Sequence, residues 1–250
     1  MKQSDICIII PTYNNAKFLP QVLDAVLPYN FSVIVVNDGS TDDTNKILSH
    51  YQPDITVLPY SPNRGKGYAL SKGFDVAESI GFKYAITMDS DSQHLPENLP
   101  LFVEVISKNP NALIVGSRNL HQENMPAKNS FANKFSNFWF VVQTGNKLPD
   151  TQTGFRLYPL NQMKGMRPIT SRYEAELELL VRSAWRNIKL IPIPIQVYYP
   201  EEGVRISHFR PAKDFFRISL LNALFCLLAI VYGYPAKFFY LLSHLSLKHE

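Results

Sequence analysis

Two acidic side chains separated by one residue follow an apolar run in "YAITMDSDSQHLPENL", residues 84–99. In an extended segment residues i and i+2 point the same way, so Asp89 and Asp91 can present their carboxylates to one point. Such carboxylates repel each other unless they are protonated or bridged by a cation. A hard divalent ion, Mg²⁺ or Mn²⁺, satisfies both and completes its shell with phosphate oxygens and water. Asp89 and Asp91 are therefore candidate ligands of a divalent metal, and Gln93 can add a neutral oxygen.

The same segment has a purely structural interpretation. A lone D-x-D is weak evidence for a metal, and "DSQHLPENL" offers capping residues for a helix that begins near Pro96. His94 is a further candidate ligand if the ion is Mn²⁺.

Two other polar strings could hold parts of a nucleotide. Asp38 ends an apolar run in "VIVVNDGSTDDT" and could accept hydrogen bonds from a base or a ribose, or the string is only a turn with Ser40 or Thr41 as a helix N-cap. "NRGKG" places backbone amides beside Arg64 and Lys66, a combination suited to phosphate, although a solvated basic turn is the commoner structure of such a string.

Composition and missing motifs exclude several classes of protein. No G-x-G-x-x-G follows the first apolar run, which disfavours a dehydrogenase, and the absence of G-x-x-x-x-G-K-[ST] excludes P-loop kinases and ATPases. A net charge of +4 over 250 residues does not indicate nucleic acid as a partner. The two cysteines, Cys7 and Cys226, are far apart in the sequence and lie in apolar segments, and we find no secretory leader. Both observations predict a cytoplasmic protein.

Short apolar runs alternate with amphipathic segments and predict the elements that position these residues. The predicted strands span residues 6–11, 32–38, 55–60, 84–91 and 112–118, and the predicted helices span 16–27, 42–50, 67–80 and 97–107. Runs of Val and Ile without alternation are typical of strands covered on both faces. The fold class is therefore α/β, doubly wound and mostly parallel. Because the polar strings follow strands, they should share the carboxyl edge of the sheet, where such folds bind ligands.

The assembled set resembles a known family. "IIIPTYNN", "VIVVNDGSTDDT", "NRGKGYAL", "MDSDSQHLPENL", "GSRN", "DTQTGFRLY" and "PIPIQV" occur in the order seen in family 2 glycosyltransferases, most like the dolichol-phosphate mannosyltransferase and polyprenyl-phosphate glycosyltransferase group. The resemblance covers residues 5–216. It implies a GT-A fold (Rossmann-like, with helices on both faces of the sheet), a UDP- or GDP-linked sugar donor, a divalent metal, a lipid-type acceptor and inversion at the anomeric carbon.

By motif position the resemblance also assigns residues to the site. Pro11, Tyr13, Asn14 and Asp38 would line the nucleoside pocket, Lys66 and Arg118 would lie near the donor, and Asp89, Asp91 and Gln93 would hold the metal and diphosphate. Asp150 would be on the acceptor side, Arg205 and Ser207 would close a loop over the phosphates, and Asp91, Glu176 and Arg156 would be the catalytic residues. His208 stands where family members usually have Lys.

The segment "YEAELELL" carries three glutamates, of which Glu176 matches the acid of the family. Glu174 and Glu178 share a helix face at i,i+4 and are either site residues or a solvated acidic face, whereas Glu176 points elsewhere. Glu176 is the candidate general base for a hydroxyl acceptor. A lipid phosphate needs no base, because its second pKa of about 6 leaves it ionised near neutral pH.

The chain divides into a predicted catalytic domain and a tail. Residues 1–210 form the catalytic domain, with a nucleotide-sugar half at about 1–118 and an acceptor half at about 119–210. In the tail, residues 211–250, a stretch of 19 residues without a charge (218–236) is borderline for a span of about 20. Asn222, Gly233 and Pro235 weaken the case for a span.

Basic residues just before this stretch favour an anionic membrane surface: Arg205, Arg210, Lys213 and Arg217. We therefore expect an in-plane or partly inserted anchor at the inner face of the plasma membrane. The alternative is a helix pair that packs on the catalytic domain or on the partner of a homodimer.

Two other functions compete with the transferase. A sugar nucleotidyltransferase would open with a glycine-rich basic loop, where this chain has "PTYNN". A catalytically silent nucleotide-sugar binder or membrane scaffold would be indicated by loss of the D-x-D acids or of Lys66, and all three residues are present.

Overall fold

A computed structural model describes residues 2–118, 127–198 and 211–246. The strands in these ranges are β1 (Ile6–Thr12), β2 (Ser32–Asp38), β3 (Ile55–Tyr60), β4 (Tyr84–Thr87), β5 (Leu113–Arg118), β6 (Arg156–Pro159) and β7 (Leu190–Ile195). The α-helices are α1 (Leu19–Val26), α2 (Thr44–Tyr51), α3 (Lys66–Ile80), α4 (Leu99–Lys108), α5 (Ala127–Thr144), α6 (Glu174–Trp185), α7 (Pro211–Leu228) and α8 (Tyr234–Ser246).

The strands form one sheet in the order β3-β2-β1-β4-β6-β5-β7. All neighbours are parallel except β6, which runs antiparallel between β4 and β5. Alternate residues of β1 enter different cores: Ile9 packs with Phe74 of α3 on one face, whereas Ile8 packs with Leu23 of α1 and Phe102 of α4 on the other. Burial of both faces explains the unbroken apolar runs. The predicted α/β architecture, with helices on both faces of a mostly parallel sheet, is confirmed.

The strand that precedes the paired acids is shorter than the sequence predicts. β4 ends at Thr87, whose hydroxyl donates to the Gly154 carbonyl at 2.6 Å, and the chain then turns, with Ser92 at a φ of 62°. Asp89 and Asp91 therefore lie on a loop, and the predicted strand over residues 84–91 is wrong in its last four residues. Alternation along an extended strand is not what places the two carboxylates.

The apolar tail is one helical run and not a helix pair. A π-helical turn, Ala229–Gly233, joins α7 to α8 without a break. Asn222 is 3% exposed and accepts a hydrogen bond from Gln143 of α5 at 2.8 Å, and a Cβ added to Gly233 would lie 2.4 Å from Nε1 of Trp185 on α6. Two of the residues expected to weaken a span are thus the ones that attach the tail to the rest of the protein.

The opposite side of the tail is apolar and exposed. The helical stretch Phe216–Tyr240 has 25 residues, and an 18-residue window within it has a mean hydropathy of 1.9 and is only 28% buried. At 1.5 Å per residue it is longer than the roughly 30 Å hydrocarbon core of a bilayer. Large apolar side chains that are at least half exposed are Phe216, Leu220, Leu227, Ile230, Val231, Tyr232, Phe238 and Phe239.

Candidate active site

The loops that follow β1, β2 and β4 are joined by hydrogen bonds at the carboxyl edge of the sheet. Asn14 has a φ of 46°, accepts from the Thr41 amide at 2.7 Å and donates its own amide to the Ser40 hydroxyl at 2.9 Å. The next residue, Asn15, donates its side-chain amide to the carbonyl and the hydroxyl of Ser90. These contacts bring the three loops together at the carboxyl edge of the sheet, where the polar strings were predicted to converge.

Asp38 holds the loop after β3 in place at this rim. Its carboxylate is 3% exposed and accepts from the Arg64 amide at 2.6 Å, the Gly65 amide at 2.7 Å and the Asn63 side chain at 2.9 Å. The loops that contain Gly39 and Asn63 approach each other closely. A Cβ on Gly39 would lie 2.6 Å from the Asn63 amide nitrogen. Its contact with a nucleoside stays a prediction. The observed hydrogen bonds show that Asp38 fixes the conformation of the loop at residues 63–65.

The backbone amides of "NRGKG" do not form a phosphate cradle. The Gly67 and Tyr68 amides donate to the Ser171 carbonyl, at 2.8 and 3.3 Å, while the two amides before Lys66 donate to Asp38. The expected cradle of amides is wrong for these residues, and the alternative of a solvated turn holds only in part, since Gly65 and Gly67 are buried whereas Arg64 is exposed. The charged groups of this string that a ligand could reach are the side chains of Lys66 and Arg64.

Lys66 connects the loop after β4 to helix α6. Its Nζ lies 2.5 Å from Oδ1 of Asp89 and 3.0 Å from Oε1 of Glu176, and the exposed fractions of the three side chains are 16%, 29% and 10%. Burial alone would lower the pKa of the Lys66 ammonium, but the two carboxylates raise it above its ordinary value. The lysine is therefore a permanent cation, and we call these three side chains the acid–lysine cluster.

Gly154 provides the space for this cluster. A Cβ at this position would lie 2.7 Å from Oε1 of Glu176 and 3.0 Å from both Oδ2 of Asp89 and Nζ of Lys66. Distances below 3.0 Å are not tolerated by real Cβ atoms, so any larger residue would have to displace the carboxylate of Glu176. The backbone just before β6 thus forms the floor beneath the cluster.

His94 orders the loop that carries the paired acids. Its Nδ1 accepts the Asp89 amide at 3.0 Å, and its ring, 6% exposed, stacks on Phe155 with centroids 4.9 Å apart. Burial lowers the pKa of His94, so the imidazole is neutral and carries its proton on Nε2. Asp91 accepts the Gln93 amide at 3.1 Å in the same loop. His94 is therefore bound into the loop, and its Nδ1 is not available to Mn²⁺.

The predicted ligand residues fit a hard cation that is shared with a substrate. Asp89 and Asp91 are partly exposed carboxylates in one loop. Within the described residues Nε2 of Gln93 is buried without a hydrogen-bond partner, and rotation of that amide would put an oxygen at this position. No group of three His, Cys, Asp or Glu side chains in the described part of the chain could hold a metal alone. Phosphate oxygens and water would have to complete the shell, as Mg²⁺ prefers.

Asp150 is the centre of the segment that is predicted to lie on the acceptor side. It is completely buried, and Arg118 donates to it through Nε at 2.6 Å and Nη2 at 3.0 Å. Asn133 and the amides of Gln152 and Thr153 donate to it as well. Burial alone would raise the pKa of Asp150, but the hydrogen bonds and charge of Arg118 lower it. Asp150 orients Arg118, which is 16% exposed and is the member of the pair that a ligand can reach.

Arg156 holds α6 in position and does not reach the surface. It is completely buried, and its guanidinium donates to the Glu176 carbonyl at 2.6 Å, the Thr151 carbonyl at 2.9 Å and the Tyr158 hydroxyl at 3.3 Å. A catalytic contact by Arg156 does not fit this burial. We therefore correct the prediction: Arg156 positions Glu176 and the acceptor-side segment.

The two outer glutamates of α6 are buried, so the solvated acidic face is wrong. Glu174 is 3% exposed and pairs with Arg217 of the tail at 3.1 Å. Glu178 is 1% exposed and accepts from Arg182 at 2.5 Å and from the Ile169 amide at 2.8 Å. Each acid is neutralised by an arginine, which is what allows an acidic helix to pack inside the protein.

Of the remaining predicted residues, two lie in or just after β1, and two lie outside the described residues. Pro11 is buried within β1, and Tyr13 is partly buried in the loop that follows. Arg205 and Ser207 lie outside the described residues.

Sequence reasoning missed Asn15 and Gly154. Both were present in quoted motifs, "PTYNN" and "DTQTGFRLY". The signal that could have found Gly154 is a glycine just before a strand, a position that often marks close approach of another group.

Residues 7–161, more than half of the chain, match the family described as Glycosyl transferase family 2. The chain belongs to this family and is a glycosyltransferase. Its fold agrees with a solved structure, glucosyl-3-phosphoglycerate synthase from Mycobacterium tuberculosis in complex with Mn²⁺, UDP-glucose and phosphoglyceric acid. That match has a TM-score of 0.62 and 18% identity and covers 90% of this chain and 78% of the other.

Relatives of known name belong to the group that the motifs resemble. The UDP-N-acetylglucosamine–dolichyl-phosphate N-acetylglucosaminyltransferase of Methanococcus voltae is 26% identical over 78% of this chain and 86% of its own length. The undecaprenyl-phosphate mannosyltransferase of Micrococcus luteus is 28% identical over 79% of this chain and 85% of its own length. The predicted resemblance to polyprenyl-phosphate glycosyltransferases is confirmed.

Proposed function

We propose that this enzyme transfers a sugar from a UDP- or GDP-linked donor to a polyprenyl phosphate, with inversion at the anomeric carbon, at a membrane surface. The observation that carries the proposal is the acid–lysine cluster beside Asp91 at the carboxyl edge of the sheet. It combines partly exposed carboxylates with a fixed cation, which is the equipment needed to bind an anionic diphosphate and to help it leave. The names of the two relatives support a lipid phosphate as the acceptor.

The metal would be held by Asp89, Asp91 and Gln93. Bound there, a divalent cation would stabilise the charge that develops on the departing nucleoside diphosphate. The chain's own contribution is positive charge from Lys66 and from Arg118, each oriented by a carboxylate. Fixed charges of this kind cost no reorganisation during the reaction.

Contacts at Glu176 favour a phosphate acceptor over a hydroxyl. Its carboxylate accepts a charged hydrogen bond from Lys66 at 3.0 Å, so an oxygen that a general base would use is already bound to a cation. An ionised lipid phosphate attacks without losing a proton, so Glu176 need only orient Lys66. A glycolipid hydroxyl, the alternative acceptor, would need Glu176 as a base.

We further propose that the tail attaches the enzyme to the inner face of the plasma membrane. A helix that packs on a soluble domain normally turns its apolar side inward. Here Phe225 and Ala229 do turn inward and are buried. The tail nevertheless has a second apolar side, on which Leu227, Ile230 and Val231 are 64% to 77% exposed. An apolar solvent explains this second apolar side, and lipid is also where a polyprenyl acceptor resides. The division at residue 210 stays part of this proposal.

Vesicle flotation tests the tail. We expect the full chain to float with anionic liposomes, and Ile230→Asp combined with Val231→Asp to reduce the bound fraction several-fold, because charges are costly in the apolar layer. Ile169→Asp is the matched control, since Ile169 is 83% exposed on another part of the surface. Equal flotation of all three proteins would contradict membrane attachment by this helix.

A transfer assay tests the reaction. The detergent-purified protein is incubated with UDP- and GDP-sugars, undecaprenyl or dolichyl phosphate, and Mn²⁺ or EDTA. We expect a lipid-linked sugar phosphate only when metal is present, and NMR of the product should show an inverted anomeric centre. Donor binding without turnover would instead favour a silent binder, and release of a nucleotide sugar from sugar phosphate and nucleoside triphosphate would favour a nucleotidyltransferase. Family membership already disfavours both alternatives.

A further inference from the structure

Lys66 and the proposed metal would compete for the same oxygen atom. Oδ1 of Asp89, a predicted metal ligand, is 2.5 Å from the ammonium of Lys66. A divalent cation at this oxygen would stand within a few ångströms of a like charge, in a region where low exposure weakens screening by water. Strong binding of metal therefore requires the ammonium to leave Asp89.

The cluster holds Lys66 firmly as long as no other anion is near. Glu176 provides a second carboxylate at 3.0 Å, and the Gly154 backbone closes the opposite side. The lysine is the first residue of α3, and its flexible four-carbon stem allows the charge to move while the backbone stays fixed by the Ser171 carbonyl. A new anion arriving at the rim could thus draw the ammonium away without any change of fold.

The diphosphate of a donor is such an anion. An ammonium that pairs with the diphosphate would leave Oδ1 of Asp89, and that oxygen could then bind a divalent cation. The same cation binds phosphate oxygens, the ligands that Mg²⁺ prefers. Metal and nucleotide would each remove an obstacle to the other.

We propose that Lys66 is a place-holding cation, which keeps Asp89 closed to metal until a nucleoside diphosphate binds and so makes the two ligands bind cooperatively. This inference rests on the proposed function, because it requires both a metal and a nucleotide donor. By linkage, the factor by which nucleotide strengthens metal binding equals the factor by which metal strengthens nucleotide binding.

Electron paramagnetic resonance of free Mn²⁺ measures this coupling on the full chain in detergent. Titrations are made with and without UDP or GDP on the wild type, Lys66→Met, Lys66→Arg and Lys72→Met. In the wild type we expect nucleotide to strengthen Mn²⁺ binding by about tenfold or more, within the roughly 5–150-fold range of coupled sites. Lys66→Met should bind Mn²⁺ alone about tenfold more tightly than the wild type, and its nucleotide effect should shrink to the part that direct binding of the metal to phosphate oxygens supplies.

The two other variants are controls for charge and position. Lys66→Arg keeps a cation beside Asp89 and should retain strong dependence on nucleotide. Lys72→Met removes a 48% exposed lysine from the same helix and should match the wild type. Circular dichroism and the melting temperature establish that each variant is folded. If Lys66→Met does not fold, Lys66→Gln, which removes the charge and keeps a polar side chain, replaces it with the same expected results.

The outcomes separate this inference from the proposed function. Unchanged Mn²⁺ binding in Lys66→Met, with the full nucleotide effect retained, would overturn the role of Lys66 and leave metal-dependent transfer intact. Wild-type protein that binds Mn²⁺ equally well without nucleotide would overturn it as well. Failure of the wild type to bind Mn²⁺ under any condition would refute the proposed metal, and this inference with it.

Discussion

Two pairs of aspartates at the same edge of the sheet have opposite surroundings. Asp38 and Asp150, the buried pair, are 3% and 0% exposed, and each accepts at least three hydrogen bonds from its own protein. Asp89 and Asp91, the exposed pair, lie on the loop after β4 and are partly open to solvent. The buried pair shapes loops and the exposed pair is available to ligands. Residue type and motif position do not separate these roles, whereas burial and hydrogen bonding do.

The largest effect should come from the exposed pair. Asp91→Ala should lower turnover at least 10²–10³-fold with any acceptor, because it removes charge that acts on the reacting diphosphate. Stability should change by no more than about 0.5 kcal/mol, as is usual for a partly exposed side chain. Transfer assays and urea unfolding measure the two quantities. A variant that keeps wild-type turnover would contradict a metal role for Asp91.

The buried pair should behave differently. Asp38→Ala leaves the Arg64 and Gly65 amides without their acceptor, and unsatisfied buried donors cost about 1–3 kcal/mol each. We therefore expect a loss of several kcal/mol in the free energy of unfolding, together with lost activity. Urea denaturation measures it, with Asp54→Ala, at an exposed aspartate, as the control. Full stability in Asp38→Ala would remove the distinction between the two pairs.

Gly154→Ala tests the space beneath the acid–lysine cluster. The added methyl group would meet Glu176 at 2.7 Å and displace its carboxylate. Because a shift of about 1 Å in positioning can cost around 10²-fold, we expect turnover to fall by one to two orders of magnitude. The control is Gln152→Ala at an exposed position in the same segment. Equal activity of both variants would show that the cluster tolerates repacking.

The smallest effect is a pH dependence of stability that comes from Asp150. Its pKa in the folded protein is below the ordinary value of 3.8, so its contribution to stability is fully present above pH 3.8. That contribution is lost as the pH falls through the lowered pKa of the folded state. Asp150→Asn should therefore flatten the acid side of a stability–pH curve measured by urea unfolding. An unchanged slope between pH 4 and pH 2 would mean that Arg118 does not stabilise the ionised form.

The sequence predicted the fold where the physics is local. Apolar runs rich in Val and Ile located β1, β2 and β5 to within about two residues, because strands buried on both faces leave that pattern. β3, a partly exposed strand at the edge of the sheet, was located as well. β6, which is four residues long, and β7, in which two prolines interrupt the apolar run, have weaker signals, and the antiparallel insertion of β6 was not anticipated. Pairing between distant strands is not written in the local pattern of either one.

The sequence predicted which residues form the site better than it predicted what each of them does. Motif position brought Lys66, Asp89 and Glu176 together, and they are in contact. The burial of Glu174 and Arg156 could not be read from the local sequence pattern, because it depends on partners 43 and 20 residues away, Arg217 and the Glu176 carbonyl. Such contacts are fixed by tertiary packing, which decides whether a charged side chain is solvated, structural or reactive.

The most direct test of the account is a crystal structure with Mn²⁺ and UDP or GDP, with anomalous data collected at the manganese edge. We predict one strong anomalous peak next to the carboxylates of Asp89 and Asp91 and to the diphosphate. Asp38 and Asp150 should keep their present hydrogen bonds. A nucleotide bound with its diphosphate and manganese away from this loop would contradict it.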